Sequence, residues 1–296
     1  MKKLNLFFLI VLSSLCFWGC KSTPPETNIN PLELLDNKSQ YYFRIPVSVD
    51  PVLVDRVLKA NVSSLSDSDS KLIVSRINTI YAGYTRRRNS VEFQISSDCS
   101  FPKSITSKVF TKKNGFESRK LNLNNAEPGT TSYDVYSTQG VDISLPEERI
   151  ALLGRDVDGM LGEYHRLFQK IEGQSYNNLS SELFEYLNYD SLLDENEIRF
   201  WATNPSSFLT LLTGARLNLA LQYVRGTIKP DPKLSKQYIM QFEFEFKDER
   251  IVRAARGALS LAFGLADSNV YMLSPTTLVI SDIKISKEQV YRIFTL

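Results

Sequence analysis

An α+β fold of two similar halves, each a mainly antiparallel sheet with helices on one face, is predicted by three patterns in the sequence. Apolar and polar residues alternate over Val91 to Ser96 and again over Tyr238 to Phe246, the period-two mark of half-buried antiparallel strands. Asx-Pro pairs at Asp50-Pro51 and Asn204-Pro205 each open a run at helical spacing, with the Asx as N-cap and the proline at the first helical position. After each pair the chain reads two antiparallel strands, a helix, short strands and a final helix.

In the first half, the strand Tyr41 to Val47 leads into the Asp50-Pro51 helix, whose Leu53, Val54, Val57 and Leu58 share a face. Ser66-Asp67-Ser68-Asp69 caps a second helix carrying Leu72, Ile73 and Ile77. Thr79 to Arg86 and Val91 to Ile95 flank the turn Arg87 to Ser90. Phe101-Pro102 opens a helix with Ile105, Val109 and Phe110, stopped at Asn114-Gly115. Ser118 to Leu123 reads as a strand, and Gln139-Gly140 joins Tyr133 to Ser137 with Val141 to Leu145 as a hairpin. Arg149 to Gly154 is a short buried strand. Asp156 then caps a helix with Val157, Met160, Leu161 and Tyr164 inward.

Polar, turn-prone residues from Gln174 begin a connector over 174–197, with a helix from Leu179 to Leu193. The second half starts with the strand Ile198 to Ala202 and the Asn204-Pro205 helix. Strands at 217–223 and 238–246 follow, joined by an exposed turn at Lys229 to Lys233. A helix at 248–266, short strands at 270–273, 278–280 and 283–285, and a helix from Ser286 complete it. The order β-α-β-β-α-β resembles that of ferredoxin-like sandwiches. The expected domains are 40–173 and 198–296.

The first twenty residues say where the protein resides. Lys2 and Lys3 precede an apolar run from Leu4 to Leu15, too short to span a bilayer comfortably, and Gly19-Cys20 supplies a small residue before a cysteine. The segment resembles the relaxed lipobox of spirochaete lipoproteins, with Phe17 and Trp18 departing from the usual Leu and small residue. That resemblance implies a signal peptide over 1–19, cleavage between Gly19 and Cys20, acylation of Cys20 and a seat in the cell envelope, the outer membrane favoured. Residues 20–39 then read as a polar, Pro-rich tether that continues into an amphipathic turn at Pro31 to Leu35.

Cleavage there removes two of the 35 basic side chains and none of the 33 acidic ones, so the mature chain is formally neutral. A nucleic-acid binder or a polybasic membrane-surface module would carry a basic excess. Of three cysteines only Cys99 remains, a buried or semi-buried thiol with no partner for a disulfide within the chain.

Chemistry is sparse. His165, the single histidine, is expected on a partly exposed helix face, against the competing reading of a general base oriented by Asp158 or Glu163. The two Ser-x-x-Lys matches, at Ser100 and Ser281, have no companion motif. Asp156, Asp158 and Glu163 lack the glycine turn and ligand density of a calcium loop. No catalytic residue, cofactor or metal is assigned. Trp201, on the opposite strand face from Phe200, is the first candidate for an interaction surface. The expected function is a lipid-anchored, non-enzymatic envelope module that binds an envelope protein, with exposed strand edges as the contact mode. The alternative is a lipoprotein receptor holding a small ligand between the two halves.

Overall fold

The computed structural model describes residues 28–87, 91–102, 104–171, 179–188, 196–214, 217, 219–263 and 269–295. A 3-10 turn at Pro31–Leu34 precedes β1 (Tyr41–Pro46). Asp50 caps α1 (Pro51–Asn61) by accepting the Leu53 N–H at 3.0 Å, and Ser66 caps α2 (Asp67–Val74). The hairpin of β2 (Ile77–Arg86) and β3 (Val91–Cys99) leads to α3 (Ser104–Val109), and a 3-10 turn at Lys112–Asn114 then closes on Gly115 at φ 80°. Four strands follow: β4 (Glu117–Asn124), β5 (Thr130–Thr138), β6 (Val141–Glu147) and β7 (Ile150–Gly154). Gln139 at φ 48° and Gly140 at φ 78° give the β5–β6 turn the left-handed pair that a tight hairpin needs. Asp156 caps α4 (Val157–Phe168), and α5 (Ser181–Asn188) lies in the connector.

The second half runs β8 (Ile198–Ala202), α6 (Pro205–Thr213), β9 (Leu221–Pro230), β10 (Gln237–Phe246), α7 (Glu249–Phe263), β11 (Val270–Met272), β12 (Thr277–Ser286) and α8 (Lys287–Phe294). Ile77, expected on the second helix, opens β2 instead, and two segments of the second half also differ from expectation. β9 starts at Leu221 and keeps its pairing through Pro230, which lies opposite Tyr238, so the turn begins only after Pro230. The two short strands at 278–285 form one strand, β12, interrupted by a bulge. The bulge falls where the register shifts between Met240 and Phe242, and Asp282 takes φ 59° to accommodate it.

The described strands join one antiparallel sheet in the order β11-β12-β10-β9-β8-β1-β2-β3-β7-β6-β5-β4. β1 and β8 lie side by side at the centre, with Tyr41 opposite Ala202 and Arg44 opposite Arg199. From that pair each half is laid outward in the same sense: first strand, second, third, last, then the strand before the last. All neighbouring strands are antiparallel, and all but three neighbour pairs are sequential: β1 with β8, β3 with β7 and β10 with β12. The sheet continues unbroken across the expected domain boundary, because the first strand of each half pairs with the other.

Alternation along the strands divides the core between the two faces. Phe43, Phe200, Phe242 and Phe244 point to the front face and pack under α1, α6, α7 and α8. A satellite cluster around Ile105, Val109, Phe110 and Ile143 continues that face under α2 and α3. On the back face, Tyr42, Tyr81, Trp201 and Val135 pack with the 31–34 turn, α4 and α5. Six of the eight described helices therefore share one face; of the other two, α4 covers the back of the first half and α5 covers the back near β8. The back of the second half shows β10 residues Gln241, Glu243 and Glu245, half-buried and polar, in alternation with its buried phenylalanines. Gly226 on β9 leaves room for this packing. A Cβ there would meet the Phe200 ring at 2.7 Å and collide with the Gln241 carbonyl.

Candidate ligand site

The front layer of the first half is incompletely filled. Its floor is β1, β2, β3, β6 and β7, and its roof is α1 with the short helices α2 and α3. α1 presents Leu53, Val54, Val57 and Leu58 downward because these positions fall on one face at helical spacing. α3 is only six residues long. A cavity of about 100 Å³ remains between roof and floor, with Phe101 and Phe110 on either side of α3 and Phe294 of α8 among its walls.

Its lining is almost wholly apolar. Val57, Leu58, Ile77, Ile80, Ile95, Leu145 and Leu153 all line it and all remain half-buried, although they sit between helix and sheet. Two polar side chains at the wall are spent locally: the Asn61 amide donates to the Val57 carbonyl at 2.8 Å, and the Ser97 hydroxyl donates to the Ala151 carbonyl at 3.4 Å. Such a surface offers dispersion and exclusion of water, with nothing to orient a polar substrate.

A joint beside the cavity ties the halves together. Asp50, which ends the β1–α1 connection, accepts from the Tyr238 hydroxyl of β10 and from Lys287 Nζ of α8, both at 2.6 Å. Burial opposes its ionisation, but the hydrogen bonds from Lys287, Tyr238 and the Leu53 N–H outweigh burial and hold the carboxyl below its ordinary range. Burial, with the adjacent Asp50 charge, pushes the Tyr238 phenol up.

A family model described as outer membrane-associated lipoprotein TP0453 matches residues 26–291. The chain belongs to this family. The outer membrane protein TP0453 of Treponema pallidum (strain Nichols) is 27% identical over 118 residues, which are 40% of this chain and 37% of that protein. The matched stretch thus spans little more than a third of that curated relative. The fold agrees over far more of the chain. Crystal form I of TP0453 aligns with 91% of this chain and 98% of its own at a TM-score of 0.67 and 18% identity. Crystal form III gives 0.64 at 17% identity, again over 91% of this chain and over 99% of its own.

The envelope lipoprotein family fits the leader read from the sequence, although Gly19 and Cys20 themselves lie outside the described residues. The other singled-out residues are scattered. Trp201 is on the opposite face from Phe200 as expected, yet it is only 3% exposed, which corrects its assignment as an interaction surface. α5 covers it: the indole stacks on Tyr223 with centroids 4.0 Å apart and meets Tyr186 of α5 at 5.8 Å.

His165 is 4% exposed rather than partly exposed, because the β4–β5 hairpin folds over its helix. Its Nδ1 faces the Tyr133 hydroxyl at 3.0 Å and its Nε2 the Asn124 carbonyl at 2.8 Å. Both ring nitrogens are thus committed to holding the hairpin. Glu163, the suggested orienting carboxylate, instead takes both Arg166 Nε and Nη2, at 2.8 and 2.7 Å. Cys99 is buried as expected, and burial pushes its thiol up. Among the described residues no group of three or more His, Cys, Asp or Glu is placed to hold a metal ion, and no helix is long and apolar enough to cross a membrane. Helical spacing places the α1 wall of the cavity, Leu53, Val54, Val57 and Leu58, while the void between that wall and the sheet leaves no mark in the sequence.

Asp50→Asn keeps an acceptor for Leu53 and removes the charge facing Lys287. A loss of about 2 kcal/mol is expected at pH 7, the scale of a charge-assisted hydrogen bond, measured by urea unfolding. Because the folded pKa is depressed, this contribution is complete above the unfolded carboxyl pKa of about 3.9 and is lost as pH falls through the folded value. Wild type and variant therefore converge in acid.

Proposed function

We propose that this envelope lipoprotein is held at the membrane through acylated Cys20 and takes an apolar ligand into the front-face cavity of its first half, without catalysing a reaction on it. The observation that carries the reading is the set of half-buried apolar side chains lining the void under α1, α2 and α3. The Treponema pallidum relative, an outer membrane protein, supports the place of action. The ligand position departs from a cleft between the halves: apart from Phe294, the walls come from the first half alone. A site of this size and lining selects for a hydrocarbon segment or a small aromatic group.

The anchor has a direct test. Metabolic acyl labelling of wild type against Cys20→Ser should show loss of label, and the variant should be released from the detergent-rich phase into the aqueous phase. Label persisting in Cys20→Ser overturns the anchor.

For the cavity, Val57→Phe fills space from a half-buried wall position. Titration with an apolar fluorescent naphthylamine probe should show at least tenfold weaker binding, while thermal unfolding of the variant is unchanged or later because the void is smaller. Equal probe binding by the two proteins sinks this reading.

A protein-binding role rests on a different feature. β4 is the terminal strand of the sheet, eight residues long, and offers its outer edge for strand addition. A photo-cross-linking residue at exposed Asn122 should yield a discrete adduct in intact cells. Its absence under conditions where the protein is exported and folded rules out this edge as a contact.

A further inference from the structure

Arg44 is an anomaly of the central strand. The residue is 8% exposed, and both Nε and Nη1 are sealed from solvent with no hydrogen-bond acceptor. A guanidinium has five donors and no acceptor of its own, and it stays charged at any physiological pH. Its neighbours across the ladder supply no counter-charge: Tyr81 lies opposite on β2 and a second cation, Arg199, opposite on β8. Glu197, just before β8, is already committed on both oxygens, to Arg199 Nε at 2.7 Å and Lys229 Nζ at 2.8 Å.

The same arginine forms part of the wall of a cleft of about 910 Å³ at the end of the sheet, where β1 turns into α1 and β2 begins. Lys71, from the end of α2, adds a second positive charge to that wall, and Ser75 and Thr79 add hydroxyls. The carboxylate on the wall, Asp55, is occupied by the Ser70 hydroxyl and by Lys59 at 2.9 Å. Buried donors without acceptors, beside a second cation and an open cleft, call for an acceptor-rich anion. We propose that this cleft binds an oxyanion of the phosphate type, with Arg44 as the buried donor and Lys71 as the outer charge. The site is distinct from the apolar cavity, although Ile77 belongs to both walls. A phosphate there is either a free anion or the headgroup of a lipid, and the test separates the two.

The test uses the mature lipidated protein in non-ionic detergent. Thermal unfolding is followed against inorganic phosphate, with chloride at equal ionic strength as the reference, and separately in micelles doped with phosphatidylglycerol or phosphatidylcholine. A saturable rise in Tm with phosphate identifies the free anion. A rise confined to phosphatidylglycerol micelles identifies the headgroup. In either case Arg44→Gln should abolish the shift and Lys71→Gln should weaken the apparent affinity at least threefold. Arg44→Lys, which keeps the charge but not the planar fork, should retain part of the shift. The proposal is overturned if neither arm gives a saturable shift, or if Arg44→Gln responds as wild type does. Should Arg44→Gln fail to fold, the Lys71→Gln titration decides alone, and an unchanged affinity there overturns the site.

Discussion

The antiparallel pairing of β1 with β8 is the constraint on which the rest of the molecule depends. It puts Phe43 opposite Phe200 on the front face and Tyr42 opposite Trp201 on the back, so the two halves share both of their main hydrophobic layers. Phe43 then reaches Phe294 of the last helix with ring centroids 4.9 Å apart. The two ends of the described chain are thereby bound to one core. Asp50 repeats the link at the rim, through Tyr238 and Lys287. Without the central ladder each half would expose the edge of its first strand and half of its aromatic layer.

That arrangement also decides where filling fails. In the second half α7 runs for fifteen residues above the phenylalanines of β10, and the space left there, about 430 Å³ beside Phe242, Phe263, Lys284 and Arg292, is a mixed polar cleft rather than an apolar void. The first half has a wider floor, because β6, β5 and β4 extend the sheet beyond β7, and it has shorter helices to cover it. A residual void of about 100 Å³ costs about 2 kcal/mol at the scale measured for buried cavities. This is a large share of the marginal stability of a typical domain.

Much of the fold was legible in the sequence. Asp50-Pro51, Asn204-Pro205, Asp156 and Ser286 cap helices where their chemistry says they should, and alternation at 238–246 places Phe242, Phe244 and Phe246 in the core. These signals are local, set by hydrogen bonds and side-chain direction within a few residues. The joining of the halves was not legible, since strand pairing between residues about 160 positions apart leaves no local mark on either strand. The burial of Trp201 and His165 was missed for the same reason: each lies on a face that reads as secondary until a distant element covers it. Arg44 carried no signal either. An arginine in an aromatic strand reads as an outward residue, and only the three-dimensional arrangement shows its donors sealed.

Two costly features thus stand next to each other in the first half: an unfilled apolar layer and a buried guanidinium without acceptors. Each works against folding, the first through lost dispersion and the second through desolvation. Elsewhere the protein follows the rules that favour stability: helices such as α1, α4, α6 and α8 are capped, many described ion pairs are at the surface, and β10 alternates cleanly. Departures from local consistency concentrate where function imposes its own demands. The shared wall at Ile77 brings the apolar cavity and the cleft beside Arg44 together at the start of β2, while the aromatic side chains around the β1–β8 ladder are buried. The rigid centre carries the fold, and the loosely roofed flank is where a ligand can be received at little cost to it.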